Sequence, residues 1–279
     1  MDLRNEESFL AYVEAAIRNN KLVLPTLPEV ALNVRQAINK DDASDGELAK
    51  LIANDPALSA RLLQVANSPL YRGRQKIENI QGAITRMGRS AIRTLITSLA
   101  MQQVFRPKVL MLAQYFVSIW KHSVDISAMS RALATRFGRL DKEQAMLAGL
   151  IHQIGKLPIL TVADKFPEVA EDKPVLDNLL EKLHPVIGKM IMETWDMPDS
   201  LRRVASKYND FQWDSGPEID YVDIVQVAYL ESEMMSNPGI ASNLGDIPAF
   251  RKLGLDPQIE VLEIEGVAEE ISEIKQIFV

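Results

Sequence analysis

The side chains with the widest chemical reach in this sequence are its three histidines, His122, His152 and His184. There is no cysteine, which excludes thiolate nucleophiles, thiolate metal sites and disulfides. What remains is imidazole chemistry: metal ligation, or proton transfer near neutral pH. The stretch LAGLIHQIGKLPIL, residues 147–160, brings one imidazole forward. Its small and apolar residues Leu147, Ala148, Leu150 and Ile151 form a helical run that delivers His152 to the edge of a pocket, and Gly155-Lys156 then turns the chain. A metal ligand is presented in this way. Such a site wants a carboxylate beside the histidine, and the neighbour here is the neutral amide Gln153. Asp125, three residues after His122, shares its helix face and could orient that imidazole or add one ligand. Other catalytic patterns are missing: there is no G-x-S-x-G and no Walker-type glycine loop, and spacing alone assembles no Ser–His–Asp set.

The elements that must hold these residues read as helices in series. Phe9, Val13, Ala16 and Ile17 recur at helical spacing after Ser8, and Val30, Val34, Ala37 and Ile38 do the same after the turn-like LPTLPE. Ser44 with Glu47 is a capping-box pattern, and Asp55-Pro56 is an N-cap followed by proline at the first helical position. Further helices are predicted over 77–87, 90–105, 109–137, 143–153, 176–182, 185–195, 198–207 and 221–236. Trp195 and Pro198 mark a helix end, and the three tryptophans read as packing residues. β-Branched residues rarely alternate, and VLEIEGV near 261 is the best strand candidate. The fold class is all-α.

The chain has 279 residues, 47% hydrophobic and 25% charged, ordinary values for a globular protein with a sizeable core. No apolar run approaches the roughly 18 residues that cross a bilayer, and MDLRNEESFL lacks the order of a secretory signal, so a cytoplasmic protein without membrane insertion is expected. The net charge of −7 is uneven: residues 61–108 hold nine basic residues against one acid, +8, leaving −15 for the rest. Within that segment Arg72, Arg74, Lys76, Arg86, Arg89 and Arg93 form a candidate interaction patch for an acidic or phosphate-bearing partner. The competing reading is an ordinary solvated face, or one paired with the chain's own acids.

Three segments, IWKHSVDISAMSRALA, MLAGLIHQIGKLPIL and LHPVIGKMIMETWDMPDSL, resemble the HD phosphohydrolase superfamily. In that superfamily a histidine on a long helix, a His-Asp pair and a distant aspartate hold divalent metal that activates water against phosphate esters. The N-terminal runs LPTLPEVALNVRQAI, ELAKLIANDPALSARLLQVANSPLY and IENIQGAITRMGRSAIRTLI narrow the resemblance to the HDOD family, the HD-related output domain. This resemblance implies a multi-helix HD-like bundle with an N-terminal helical subdomain. The organisation it implies is an N-terminal helix over 1–20, the HDOD domain over 21–214 and a C-terminal helical extension with an acidic tail over 215–279. Within the domain, an N-terminal helical part covers about 21–106 and an HD-like part about 107–214.

Carried over by position, His122 matches the first histidine and His152 that of the His-Asp pair, whose aspartate is replaced by Gln153. The distant aspartate falls on Tyr229 in IVQVAYL, and His184 matches a histidine four residues ahead of a glycine, Gly188. A His-His pair of metal-dependent relatives would fall near ASKYND, where there is no histidine. Asp223, six residues before Tyr229, lies about 240° around the helix and cannot substitute. Two imidazoles and an amide leave a divalent charge uncompensated, so no metal or other cofactor is expected. His122, His152, Gln153, His184 and Tyr229 then form a vestigial HD site, with a hydrogen-bonded remnant made by His122, His152, Gln153 and Tyr229. The function implied is non-catalytic regulation through protein partners in bacterial signalling. The alternatives are a divergent metal-dependent phosphohydrolase acting on a nucleotide or cyclic dinucleotide, and nucleotide or phosphate binding without hydrolysis.

Overall fold

A computed structural model of the chain describes residues 2–19, 21–39, 44–71, 73, 75–107, 110–137, 140–236, 244–255, 261 and 266–278. Among the described residues there is no strand. The helices are α1 (Glu6–Arg18), α2 (Glu29–Asn39), α3 (Asp45–Ala53), α4 (Pro56–Ala66), α5 (Ile80–Met87), α6 (Arg89–Val104) and α7 (Ala113–Phe137), followed by α8 (Lys142–Ile151), α9 (Lys156–Ala163), α10 (Pro167–Ala170), α11 (Lys173–Thr194), α12 (Asp199–Lys207), α13 (Tyr221–Ser236), α14 (Pro248–Leu253) and α15 (Val267–Ile277). One contiguous apolar core runs through them, from Phe9 and Val13 of α1 to Ile271 and Ile274 of α15.

Local hydrogen bonding decides where several helices begin. The capping box of α3 is complete, with Glu47 N donating to Ser44 Oγ at 3.2 Å and Ser44 N to Glu47 Oε2 at 2.8 Å. Asp55 Oδ1 accepts from Leu58 N at 3.0 Å and starts α4 at Pro56. Two starts differ from the sequence expectation because an upstream asparagine captures the first turn. Asn5 Oδ1 accepts from Ser8 N, so α1 opens at Glu6, and Asn79 Oδ1 accepts from Gly82 N, so α5 opens at Ile80 rather than 77.

The largest difference lies in α11. Where two helices are expected, over 176–182 and from Pro185 to Trp195, a single helix runs from Lys173 to Thr194. Proline removes only one helical N–H, and Pro185 lies beside the exposed Val186 on the outer side, where water can serve the freed carbonyl. The inner side, Leu183, His184, Ile187 and Gly188, is buried and keeps the helix continuous. Most of the strand candidate at 261–267 falls on residues 262–265, outside the described residues; at its end Val267 opens α15.

Three glycines bring backbones together around the future site. A Cβ on Gly149 of α8 would stand 2.5 Å from Ser127 Cα of α7, so α8 lies directly on the α7 backbone there. One on Gly155, just before α9, would collide with the His184 carbonyl of α11 and stand 2.6 Å from Gly188 N. One on Gly188 would meet the Ala205 carbonyl of α12 at 3.1 Å. The segment Lys142–Ala163 has the length and hydropathy of a membrane span, where the sequence leads one to expect none, but 89% of its apolar 18-residue window is buried in the protein. The helix is interrupted by a turn at residues 152–155, between α8 and α9.

The C-terminal helix is fastened to the same scaffold. Arg131, buried in α7, donates to Glu143 of α8 at 3.3 Å and to Glu270 of α15. Tyr71 OH donates to the same Glu143 oxygen at 2.6 Å. Phe278 packs edge-on against Trp120 at 5.9 Å between ring centres.

Candidate functional site

His122 projects from α7, and His152 caps the end of α8. Its Nδ1–H donates to the Gly149 carbonyl at 2.6 Å, so the backbone contact at Gly149 also fixes this ring. A carbonyl can only accept; the proton therefore sits on Nδ1, and the lone pair of His152 is on Nε2. That Nε2 is buried and has no partner, and neither has the buried Nε2 of His122. The two ring centres are 5.4 Å apart.

The neighbouring part of the site is saturated. His184 Nδ1–H donates to Leu180 O at 2.7 Å, which makes its Nε2 an acceptor. Tyr208, fully buried at the end of α12, donates its O–H to that Nε2 at 2.8 Å and accepts from Gln153 Nε2 at 3.2 Å. The order Gln153 → Tyr208 → His184 → Leu180 is fixed at both ends, by an amide that must donate and a carbonyl that must accept. Gln226 of α13 donates to the carbonyls of Lys207, at 3.2 Å, and Asp210, at 2.7 Å, and pins the backbone on both sides of Tyr208. Tyr229 joins through ring contacts, 5.8 Å from His122, 6.3 Å from His152 and 5.3 Å from Tyr208.

The structure thus brings His122, His152, Gln153, His184 and Tyr229 into one cluster. Its hydrogen bonds are not distributed as expected: they run through Gln153, Tyr208 and His184, while His122, His152 and Tyr229 meet through their rings. Tyr208 was missed by sequence reasoning, although it lies in ASKYND, where the resemblance places a His-His pair. Asp125 is engaged elsewhere. It accepts from Lys275 of α15 at 2.7 Å, so its carboxylate is drawn toward the C-terminal helix. Asp223 is buried against Lys252, at 3.1 Å.

The electrostatics favour neutral imidazoles. Burial, followed by the charge of Lys156, pushes His122 down to about 4 and His184 to about 3. Burial and the neighbouring His122 hold His152 well below its ordinary range. Burial lowers Lys156 too, against the opposing pull of Glu181, Glu233 and Asp177. Burial raises the Tyr208 hydroxyl well above its usual value and keeps it a donor. Among the described residues no group of three or more histidine, aspartate and glutamate side chains is placed to hold a metal ion.

Four of the six basic-patch residues, Lys76, Arg86, Arg89 and Arg93, lie among the described residues. Arg72 and Arg74 lie outside the described residues. Arg89 pairs with Asp45 at 2.6 Å, Arg86 donates to the Gln75 carbonyl, and Arg93 lies near Arg35. Lys76 is exposed.

Residues 24–211 match the HDOD domain. The chain belongs to the HDOD family. Among solved structures, a Shewanella amazonensis SB2B protein named "Putative metal-dependent phosphohydrolase" is 30% identical, with a TM-score of 0.86 over 98% of this chain and 99% of its own. An HDOD domain protein with unknown function from Geobacter sulfurreducens is 20% identical and shares the fold, with a TM-score of 0.69 over 99% of this chain and 100% of that one. A Treponema pallidum (strain Nichols) relative, itself uncharacterized, is 23% identical over 192 residues, 64% of this chain. The chain spans about a third of that relative's length, 36%. The HDOD match ends before α13, although Tyr229 and Gln226 of that helix complete the site.

Proposed function

We propose that this HDOD chain is a non-catalytic regulatory domain that acts through a protein partner in bacterial signal transduction. The observation that carries this reading is the Gln153–Tyr208–His184 chain. At the positions where the resemblance calls for an aspartate and a His-His pair, an amide and a phenol satisfy each other and His184. The remaining donors do not fit a divalent metal. Two neutral imidazoles supply no negative charge, and the nearby Lys156 ammonium adds a positive one. A structure from Marinobacter aquaeolei VT8 with the same fold, 22% identical with a TM-score of 0.62 over 99% of this chain and 67% of that one, is named "Putative signal transduction protein", which accords with this reading. If the pocket performs no chemistry, function resides on the surface.

The second reading is a divergent metal-dependent phosphohydrolase. The unpartnered Nε2 atoms of His122 and His152 favour it, as does the name of the Shewanella relative. One experiment separates the two. Purified without a histidine tag, the protein is expected to carry well under one equivalent of manganese, iron, nickel or zinc. It is also expected to leave bis-p-nitrophenyl phosphate and cyclic dinucleotides intact in added manganese. Near-stoichiometric metal, or turnover abolished by His122→Ala with His152→Ala, would overturn the non-catalytic reading.

A further inference from the structure

A second place in the molecule leaves buried polar atoms unanswered. Beside the N-terminus of α8, a cavity of about 480 Å³ is walled by Tyr71, Arg86, Met87, Ala91, Leu140 and Glu143, with Asp141 and Lys142 at its edge. The Glu143 side chain is 4% exposed. Its Oε1 already accepts from Tyr71 and Arg131, whereas its Oε2 is buried with no partner. Across the lining, the Arg86 guanidinium is held on one side. Its Nη2 donates to the Gln75 carbonyl, and it lies so close to Gly73 that a Cβ there would stand 3.1 Å from Arg86 Cζ. Its Nη1 is buried without a partner. An unpaired buried carboxylate oxygen and an unpaired guanidinium N–H each cost free energy that a complementary ligand would recover.

We propose that this cavity binds a purine or pyrimidine base, whose N–H donates to Glu143 Oε2 while the acceptor next to it, a ring nitrogen or a carbonyl oxygen of the base, accepts from Arg86 Nη1. Charge narrows the choice. An anion would meet the carboxylates of Glu143 and Asp141, and a cation would meet Arg86, Lys142 and the Arg131 behind Glu143. A neutral group with a donor and an acceptor side by side suits both unpaired atoms. Its remaining surface must be apolar to lie against Met87, Ala91 and Leu140, and a flat heterocycle combines these properties. The volume is in the range of roughly 300–1,000 Å³ typical of small-molecule sites. Tyr71 keeps its proton, raised by burial, and so remains a donor to Glu143 and leaves the second oxygen to the ligand. This site is distinct from the histidine cluster and does not rest on the non-catalytic reading.

The test uses nucleosides in pairs, with binding to the full chain followed by calorimetry and by heteronuclear NMR. Inosine is set against 1-methylinosine, adenosine against its N,N-dimethylated relative, and uridine against 3-methyluridine. Methylation removes the N–H and keeps the ring. At least one parent nucleoside is expected to bind, and its methylated partner to bind at least about tenfold more weakly, the scale of one lost hydrogen bond to a buried charge. Arg86→Leu should weaken the parent by about tenfold, and Ala91→Trp, which fills the cavity, should abolish binding. Both variants should keep the helical signature and urea midpoint of the wild type. The assignment is overturned if no parent binds at millimolar concentration, if methylated and parent nucleosides bind alike, or if folded Arg86→Leu protein binds as the wild type does.

Discussion

Lowering the pH from 6.5 to 5 is expected to weaken this fold steeply, before carboxylates begin to take up protons. Unfolded histidines protonate near 6.5, whereas in the folded chain His122 holds out to about 4 and His184 to about 3, with His152 also well below its ordinary range. The folded pKa values are depressed, so their stabilisation is complete above the unfolded value and is lost as pH falls toward the folded values. Each unit of separation is worth about 1.4 kcal/mol per histidine, and the cluster together on the order of 5 kcal/mol, comparable with the whole stability of many domains. Urea unfolding measured at intervals from pH 7.5 to 4.5 gives the proton uptake directly. Near pH 5 the slope should correspond to two or three protons, with His122→Gln removing about one. A flat profile between pH 6.5 and 5 would mean that the imidazoles are open to water in the folded chain.

Gly155→Ala should be among the most damaging small substitutions in the molecule. The added methyl would collide with the His184 carbonyl and lie 2.6 Å from Gly188 N, and both obstacles are backbone atoms of α11 that cannot rotate away. A loss of about 3 kcal/mol or more is expected, or roughly 10 °C in the thermal midpoint. Gly46→Ala provides the contrast. The nearest atom to its new methyl is Ser44 Oγ at 3.8 Å, inside the first turn of α3, so stability should hold or rise slightly. Equal midpoints for Gly155→Ala and wild type would mean that α9 and α11 are not in backbone contact. Displacement of His184 should also show as a changed Tyr208 absorbance or NMR signal, since that hydroxyl bonds the ring.

Sequence reading succeeded where the cause was local. Ser44 with Glu47 and Asp55 with Pro56 place their helix starts through side chains three residues from the groups they cap. It failed at Pro185, where a local rule favouring a break was overridden by burial along the inner face of α11. The candidate site was legible only as positions. The family pattern located His122, His152, Gln153, His184 and Tyr229, but it could not show that Tyr208 bonds both Gln153 and His184. A phenol in place of an imidazole carries no periodicity or spacing signal. Nor could Lys156, read as part of a turn, announce that its charge acts on all three histidines. The pairing of Arg89 with Asp45 spans 44 residues and is likewise invisible until the chain is folded.

The guanidinium of Arg131 has a practical consequence for where this protein can be cut. By gripping Glu143 and Glu270 together, it makes the last helix part of the wall behind the α8 cavity. Trimming the chain to the matched residues 24–211 would strip α13 and α15 from α7. Gln226 and Tyr229 would be lost from the histidine cluster, Trp120 would be uncovered, and a buried arginine would be left with one counterion of two. The smallest fragment worth expressing therefore extends through Phe278, well beyond the family's own boundary.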